Sequence, residues 1–362
     1  MTAARTVVLD CRWLGIGGPG KATEFVLRGL AAAPPQERWV LWGREEAIAP
    51  LAWNGADLQP ITEDPRVLLG QRRAYELPPG DFYVFMHQQR PLRAVPAATV
   101  VYDTIALRFG SRRTTRAVKK SFLRRVVATS RPILTISEHS KATIVRDLDV
   151  AEDRVEILRF PFDDTFVERV RRIRASATRT DAALFVGGFL PHKNLPRLLA
   201  AFAATGFRRQ GGRLVLVAGT VRQATTFLRD LGAHQRSFVT VHHSCSQADL
   251  DRLYATSLFL VQPSLEEGFG LPAWEAMCCG LPVCVSDGGA LPEVTRGFAD
   301  PFPATSVEAM TAAIDRCAES ARQHGDEDAI AQSALLRRRA PSVRDFGLQV
   351  RSSIEHEASA LR

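Results

Sequence analysis

P-S-L-E-E-G-F-G-L-P-A-W-E-A-M-C-C-G-L-P-V, Pro263 to Val283, sets two carboxylates eight positions apart around a glycine-rich loop that opens a helix. The apolar run before it, Ser257 to Gln262, reads as a buried parallel strand, because an unbroken apolar stretch fits a strand covered on both faces. Glu267 then falls in the loop beyond the strand's carboxyl end, where open α/β sheets bind ligands. Pro272 suits a first helical position and Gly280 a helix stop. The backbone N–H groups of the Gly268–Leu271 loop, those of Phe269, Gly270 and Leu271, are thus expected to point into a cleft, where such donors suit a diphosphate. Glu275 is expected in the first helical turn, placed to take two hydrogen bonds from a ribose diol, with Glu267 toward a sugar. The plain alternative is an ordinary strand, loop and helix with both glutamates solvated.

Outward from this segment, 362 residues is too long for one ordinary core and suits two domains. Thr6–Asp10, Val40–Trp42, Phe82–Met86, Thr99–Tyr102 and Ile133–Ile136 read as short strands separated by helical stretches such as 23–32 and 140–148, which makes one doubly wound domain. A second series lies at Ala182–Val186, Arg213–Ala218, Phe238–Val241, Ser257–Gln262 and Leu281–Val285, with helices after Asn194, Val221, Gln247 and Pro272. Between them, L-R-F-P-F-D-D-T-F at Leu158 to Phe166 reads as the link, since Pro161 breaks the periodicity. The expected domains are therefore 1–162 and 163–342, with a last helix at about Val343 to Ala360. The six cysteines form no C-x-x-C pair, so neither zinc nor a disulfide framework is expected, and a reducing cytoplasm is. The N-terminus runs straight into a strand without an apolar signal core, and no apolar run reaches the ~18 to 20 residues of a membrane span.

The string E-G-F-G-L-P-x-x-E-A-M, with the Glu-x₇-Glu spacing of Glu267 and Glu275, resembles the retaining glycosyltransferases of family 4. The resemblance implies an α/β GT-B fold: two doubly wound Rossmann-like domains facing a central cleft, the final helix crossing back to the first. It extends to F-V-G-G-F-L-P-H-K-N-L at Phe185 to Leu195, similar to the family's phosphate-binding loop, with Gly187, Gly188 and His192 near the donor and Lys193 as its lysine. An ammonium there stabilises the departing phosphate more in the transition state than in the ground state. Many members carry an arginine where Gly188 stands here. V-V-Y-D-T-I-A-L at Val100 to Leu107 resembles the family's strand-end H-D motif, with Tyr102 in the histidine's place and Asp103 retained. Tyr102 or His87 is then expected to take over a sugar contact. T-I-S-E-H-S-K at Thr135 to Lys141 matches an S-E-x-S turn, where Ser137 caps a helix and Glu138 faces the cleft.

The activity implied by the resemblance is a transfer of one sugar from a nucleoside-diphosphate sugar, GDP-mannose favoured over UDP-sugars, to a hydroxyl of a glycan or lipid-linked acceptor. The expected catalytic residues are Glu267, Lys193 and Asp103, with no cofactor and no metal. The glycine run G-I-G-G-P-G-K-A-T at Gly15 to Thr23 resembles the family's strand-to-helix turn, with Gly18, Gly20 and Lys21 at the matching places. It also satisfies G-x-G-x-x-G and nearly satisfies a P-loop, failing at Ala22, where the metal-binding hydroxyl is missing. A P-loop or dinucleotide-binding enzyme, and a non-catalytic sugar-nucleotide-binding homologue, are the competing readings.

Charge supplies the remaining expectation. Arg108 to Arg131 holds nine lysines and arginines without one acid, in a chain of net charge +8. With Val118, Phe122 and Val126 on one helical face, the segment reads either as a solvated basic helix or as a surface for anionic lipid through Arg112, Arg113, Arg116, Lys119 and Lys120. No aromatic base-stacking stripe accompanies it, so no nucleic acid is expected. The protein is expected to be cytoplasmic, or peripheral at the inner face of a membrane.

Overall fold

A computed structural model describes residues 5–61, 77–109, 113–218, 220–323 and 325–360. The chain forms two units, Met1–Pro161 with Ala340–Arg362, and Phe162–Arg339.

The first unit is built on seven parallel strands: β1 (Thr6–Asp10), β2 (Arg38–Gly43), β3 (Ala56–Pro60), β4 (Phe82–Phe85), β5 (Ala97–Val100), β6 (Ile133–Thr135) and β7 (Val155–Ile157). Their order is β3-β2-β1-β4-β5-β6-β7. The central strands F-Y-V-F and A-A-T-V are buried at every position, as expected when both faces of a parallel sheet are covered. Two strands carry no such signal. β3 is exposed at four of its five residues on the sheet edge, and β7 is only V-E-I.

The C-terminal helix, Val343–Ala360, packs on the helix Gly17–Ala32. Gly29 and Gly347 meet backbone to backbone: a Cβ on Gly347 would stand 2.8 Å from Gly29 Cα, and one on Gly29 2.5 Å from Val343 O. Around that crossing Phe346, fully buried, meets Phe25 at 6.3 Å and Phe160 at 5.7 Å between ring centres. The end of the chain thus returns to the unit in which it began, as expected.

The second unit has five parallel strands, β8 (Ala182–Val186), β9 (Arg213–Ala218), β10 (Val239–His243), β11 (Phe259–Gln262) and β12 (Val283–Val285), in the order β10-β9-β8-β11-β12. Phe185, Phe202, Phe207, Phe238 and Phe259 fill one core on this sheet. In each sheet the strand order reverses once, between β1 and β4 and between β8 and β11, and a crevice opens beyond the carboxyl ends at such a reversal.

Two local expectations are corrected. The glycine run is not a loop up to Thr23: the helix begins at Gly17, so Gly18, Gly20 and Lys21 lie in its first turns. Only Gly15 and Gly17 turn the chain, with φ of 80° and 57°. Gly20 is needed because a Cβ there would stand 2.5 Å from Trp13 O. The basic segment is the helix Arg113–Ala128, but Val118 is 69% exposed, and the buried stripe is Leu123, Val126 and Val127. Those positions lie in the last two turns, where Leu123 and Val127 join Val101, Ile133 and Ile144 in one cluster and Phe122 packs partly buried against it. Arg112 lies outside the described residues. No helix among the described residues is long and apolar enough to cross a membrane.

Candidate functional site

At the carboxyl end of β11 the chain turns through Pro263 and Ser264 and buries Glu267, 6% exposed. Three donors converge on its Oε1: Lys193 Nζ at 2.7 Å, Gln262 Nε2 at 2.6 Å and Ser264 Oγ at 2.6 Å. Burial alone pushes this carboxyl's pKa up. The adjacent Lys193 charge and the three hydrogen bonds outweigh it, so the pKa is lowered and Glu267 stays ionised.

Lys193 and Glu267 are 74 positions apart, and their meeting depends on how the loops after β8 and β11 are tied together. Asn194, buried and left-handed at φ 60°, donates to Pro263 O at 2.9 Å and Ala304 O at 2.7 Å. Leu265 N donates to His192 O at 2.7 Å. Beneath the Glu267 loop, Gly288 and Gly289 leave no room for a side chain: their Cβ atoms would stand 2.1 Å from Ser264 O and 2.4 Å from Glu267 O. Gln262, Ser264, Asn194 and this glycine pair were not singled out in the sequence. The D-G-G-A-L-P segment, which repeats the strand, glycine and proline pattern one strand later, was the signal available.

His192 sits beside the pair in the short turn Pro191–Lys193. Burial first, then the Lys193 charge, lower its pKa against the pull of Glu267 and Glu266, so it is a neutral ring at neutral pH. Gly187 N donates to Val217 O at 3.1 Å, and Gly188 lies against the Gln223 side chain.

The helix Leu271–Cys278 starts from Gly270, left-handed at φ 93°, where a Cβ would stand 2.5 Å from Leu291 Cδ2. Leu271 N–H stands at the helix start, where amides lack intrahelical partners. Phe269 and Trp274 lie 5.7 Å apart between rings. Glu275 is not in the first turn as expected but in the second, because Leu271 and not Pro272 begins the helix. Its Oε2 accepts a 2.8 Å hydrogen bond from the hydroxyl of Tyr254, a residue with no signal of its own in the sequence.

In the first unit His87, Tyr102 and Asp103 lie at the carboxyl ends of β4 and β5, while Glu138 follows β6 and Lys21 lies on the helix after β1. The His87 ring lies 4.0 Å from Trp13 and 6.1 Å from Tyr102. Burial lowers its pKa to about 4, and Nδ1 accepts from Gln89 N at 3.0 Å, which assigns the single proton to Nε2. The Tyr102 hydroxyl is buried without a hydrogen-bond partner among the described residues, and burial raises its pKa. Asp103 Oδ1 accepts from Ile105 N at 2.9 Å, closing the turn after β5. Glu138 is exposed at the start of the helix Glu138–Leu148, which Ser137 caps by accepting from Ser140 N at 3.0 Å. Lys21 pairs with Glu24 at 3.3 Å on its own helix and covers Phe25. Unforeseen here is a buried ion pair at the end of β1, Arg12 Nη2 to Asp10 Oδ2 at 2.7 Å, with the guanidinium over Trp42. Among the described residues no group of three or more His, Cys, Asp or Glu side chains could hold a metal ion.

Two Rossmann-like parallel sheets and a C-terminal helix that returns to the first unit give the chain the GT-B fold. Residues 166–330 match the family "Glycosyl transferases group 1", and the second unit belongs to that family. The chain is 28% identical over 193 residues to O-antigen chain mannosyltransferase B of Escherichia coli, covering 50% of each. It is 29% identical over 196 residues to MMP alpha-(1->4)-mannosyltransferase of Mycolicibacterium hassiacum, covering 53% of this chain and 46% of that one. The chain therefore spans about half the length of the curated relatives it matches. Among solved structures, Anabaena Alr3699/HepE in complex with UDP and glucose superposes with a TM-score of 0.69 at 13% identity, covering 97% of this chain and all of that one.

Proposed function

We propose that the protein is a retaining glycosyltransferase that moves a sugar from a nucleoside-diphosphate donor to a hydroxyl of a glycan or lipid-linked acceptor. The observation that carries this reading is the buried Lys193–Glu267 pair at the reversal between β8 and β11. The donor diphosphate lies along Gly187–Gly188 and the amides of Gly268 to Leu271, where a helix start favours negative charge. Lys193 offsets the charge that grows on the leaving phosphate, and preorganised charge of this kind acts on the transition state. Glu267, ionised and already held through Oε1, accepts hydrogen bonds from sugar hydroxyls, and Glu275 accepts from the ribose. Neutralisation by Lys193 and helix amides removes the need for a metal ion. On the acceptor side the candidates are Asp103, Tyr102, His87 and Glu138, with Gly18, Gly20 and Lys21 on the neighbouring helix.

GDP-mannose is the favoured donor, supported by relatives named as mannosyltransferases. A UDP-sugar is the second reading, favoured by the structural neighbour crystallised with UDP and glucose. A thermal-shift panel of GDP, UDP, ADP and their sugars, without metal, tests class and base together. A bound nucleotide at a hundred times its Kd stabilises by about 2.7 kcal/mol. One base is expected to raise the melting temperature, followed by sugar transfer to a mannose-terminated glycan. A chain indifferent to all three bases would overturn the proposal, and a shift without any turnover would leave a binding protein. The basic helix Arg113–Ala128 is proposed to hold the enzyme at an anionic membrane surface.

A further inference from the structure

Tyr254 is fully buried, yet its hydroxyl donates to a half-buried carboxylate on another helix, Glu275 Oε2, at 2.8 Å. The helix that carries the ring is held at two points. Phe166 meets it edge-on at 5.5 Å with an interplanar angle of 83°. One turn earlier on the same helix, Gln247–Thr256, Asp251 accepts from Arg169 Nε at 2.5 Å and from Gln247 Nε2 at 2.7 Å. Phe166 and Arg169 both belong to the helix Asp164–Ser176, so that single helix fixes the Tyr254 helix through a ring and an ion pair. A ring so constrained fixes the position of its phenolic oxygen against Glu275.

We propose that Tyr254 is a positioning residue for nucleotide recognition: its buried hydroxyl selects the rotamer in which the Glu275 carboxylate accepts the ribose diol of the donor. The inference rests on the donor reading of Glu275 given above. A glutamate side chain has three rotatable bonds, and a supporting hydrogen bond from a locked neighbour is what holds a binding carboxylate in place. The stoichiometry fits. An ionised carboxylate offers about four acceptor positions, and the Tyr254 hydrogen bond takes one of them, so it does not compete with the ribose for the whole group. The hydroxyl also keeps its proton, since burial and the neighbouring Glu275 charge raise its pKa. Tyr254 touches no ligand in this arrangement and acts only through Glu275.

Tyr254→Phe removes one oxygen and leaves the packing on Phe166, so it isolates the hydrogen bond. The test is calorimetric titration of the full chain with whichever of GDP, UDP and ADP binds, alongside its 2′-deoxy and 3′-deoxy forms. Wild type is expected to bind the ribonucleotide about tenfold more tightly than either deoxy form, the usual worth of a hydrogen bond to a charged group. In Tyr254→Phe the ribonucleotide is expected to weaken about fivefold to tenfold and the deoxy forms less than twofold, so that the discrimination collapses. The double variant Tyr254→Phe/Glu275→Ala should bind no worse than Glu275→Ala, as two residues acting through one contact are non-additive. Equal weakening of ribose and deoxyribose forms would mark Tyr254 as merely structural, and undiminished discrimination would remove it from the site. Should Tyr254→Phe not fold, Phe166→Leu, which loosens the Tyr254 ring and leaves Glu275 untouched, must lower the same discrimination. A wild type that binds no nucleoside diphosphate fails at the donor reading itself, whereas binding with unaltered discrimination in Tyr254→Phe sinks only the Tyr254 role.

Discussion

Lys193 and Glu267, to which the proposed chemistry falls, also form a contact within the fold. Their side chains are 14% and 8% exposed, so removing either leaves a charge in a site with little water. Breaking such a pair costs on the order of 3–5 kcal/mol, whereas removing both charges costs far less. Lys193→Ala is therefore expected to lower both the melting temperature and kcat. Lys193→Ala/Glu267→Gln should regain most of the stability and none of the turnover. Denaturant unfolding beside steady-state kinetics separates the two, and wild-type turnover in a folded Lys193→Ala would remove the lysine from catalysis. A second residue-scale prediction concerns acid. His87 has its pKa lowered from 6.5 to about 4, so between those values the unfolded chain binds the proton and the folded chain does not. Stability from this group is complete above pH 6.5 and falls as the pH drops toward 4, by about 3 kcal/mol for a shift of that size. Asp10 favours the protonated ring and Arg12 opposes it, and both lie at the end of β1. From about pH 4.5 downward Glu267 adds to the loss, since a lowered carboxyl pKa gives stability that disappears as the group protonates. His87→Gln should flatten the melting curve between pH 6.5 and 4, and an unchanged slope would mean that the ring is already solvated.

Among the elements, the basic helix Arg113–Ala128 presents the sharpest contrast between sequence and fold. Its buried side chains, Leu123, Val126 and Val127, sit near the carboxyl end, and the amino-terminal turns carry Arg113, Arg116, Lys119 and Lys120 with Val118 exposed among them. Each cation near an anionic lipid surface is worth about 1 kcal/mol, and this attraction fades within a Debye length of about 8 Å at physiological salt. The protein is expected to co-sediment with phosphatidylserine vesicles at low salt and to be released as salt rises. Neutralising Arg112, Arg113, Arg116, Lys119 and Lys120 should abolish binding at every salt concentration. If the unaltered protein ignores these vesicles even at low salt, the helix is a solvated face and the acceptor a soluble glycan. Local chemistry decided how legible each element was. β11, its glycine loop and the helix at Leu271 were readable because proline, glycine and an unbroken apolar run punctuate them within a few residues. β3 was not, since A-D-L-Q-P is polar and exposed, and neither was the early start of the first helix, because a glycine run reads as loop until Trp13 O is seen to need Gly20. The same limit applies to the site. The two glutamates could be picked from spacing and Lys193 from the resemblance of its loop, while Tyr254, Gln262 and Ser264 are marked only by which atoms they meet across the fold.

On the scale of the molecule, the chain leaves its first unit at Pro161, builds the second through Arg339, and returns to complete the first. The first unit is therefore finished only by the last segment, whose Phe346, Val350 and Ile354 are buried. Gly347 decides how closely that segment seats. In an exposed helix, glycine to alanine stabilises by roughly 1 kcal/mol. Here a Cβ would stand 2.8 Å from both Cα and C of Gly29, backbone atoms that cannot swing aside, and overpacking of this kind costs about 1–3 kcal/mol. The steric term wins, so Gly347→Ala is expected to destabilise, and Gly347→Leu much more. Because Lys193, Glu267 and Glu275, the residues proposed to hold the donor, all belong to the second unit, the loss should fall on one part of the chain only. Scanning calorimetry of Gly347→Ala is expected to show an early transition moved down and a nucleoside diphosphate still raising the later one by its wild-type increment. A nucleotide response that vanishes with the lowered transition would mean that the returning helix governs donor binding as well as the stability of the first sheet.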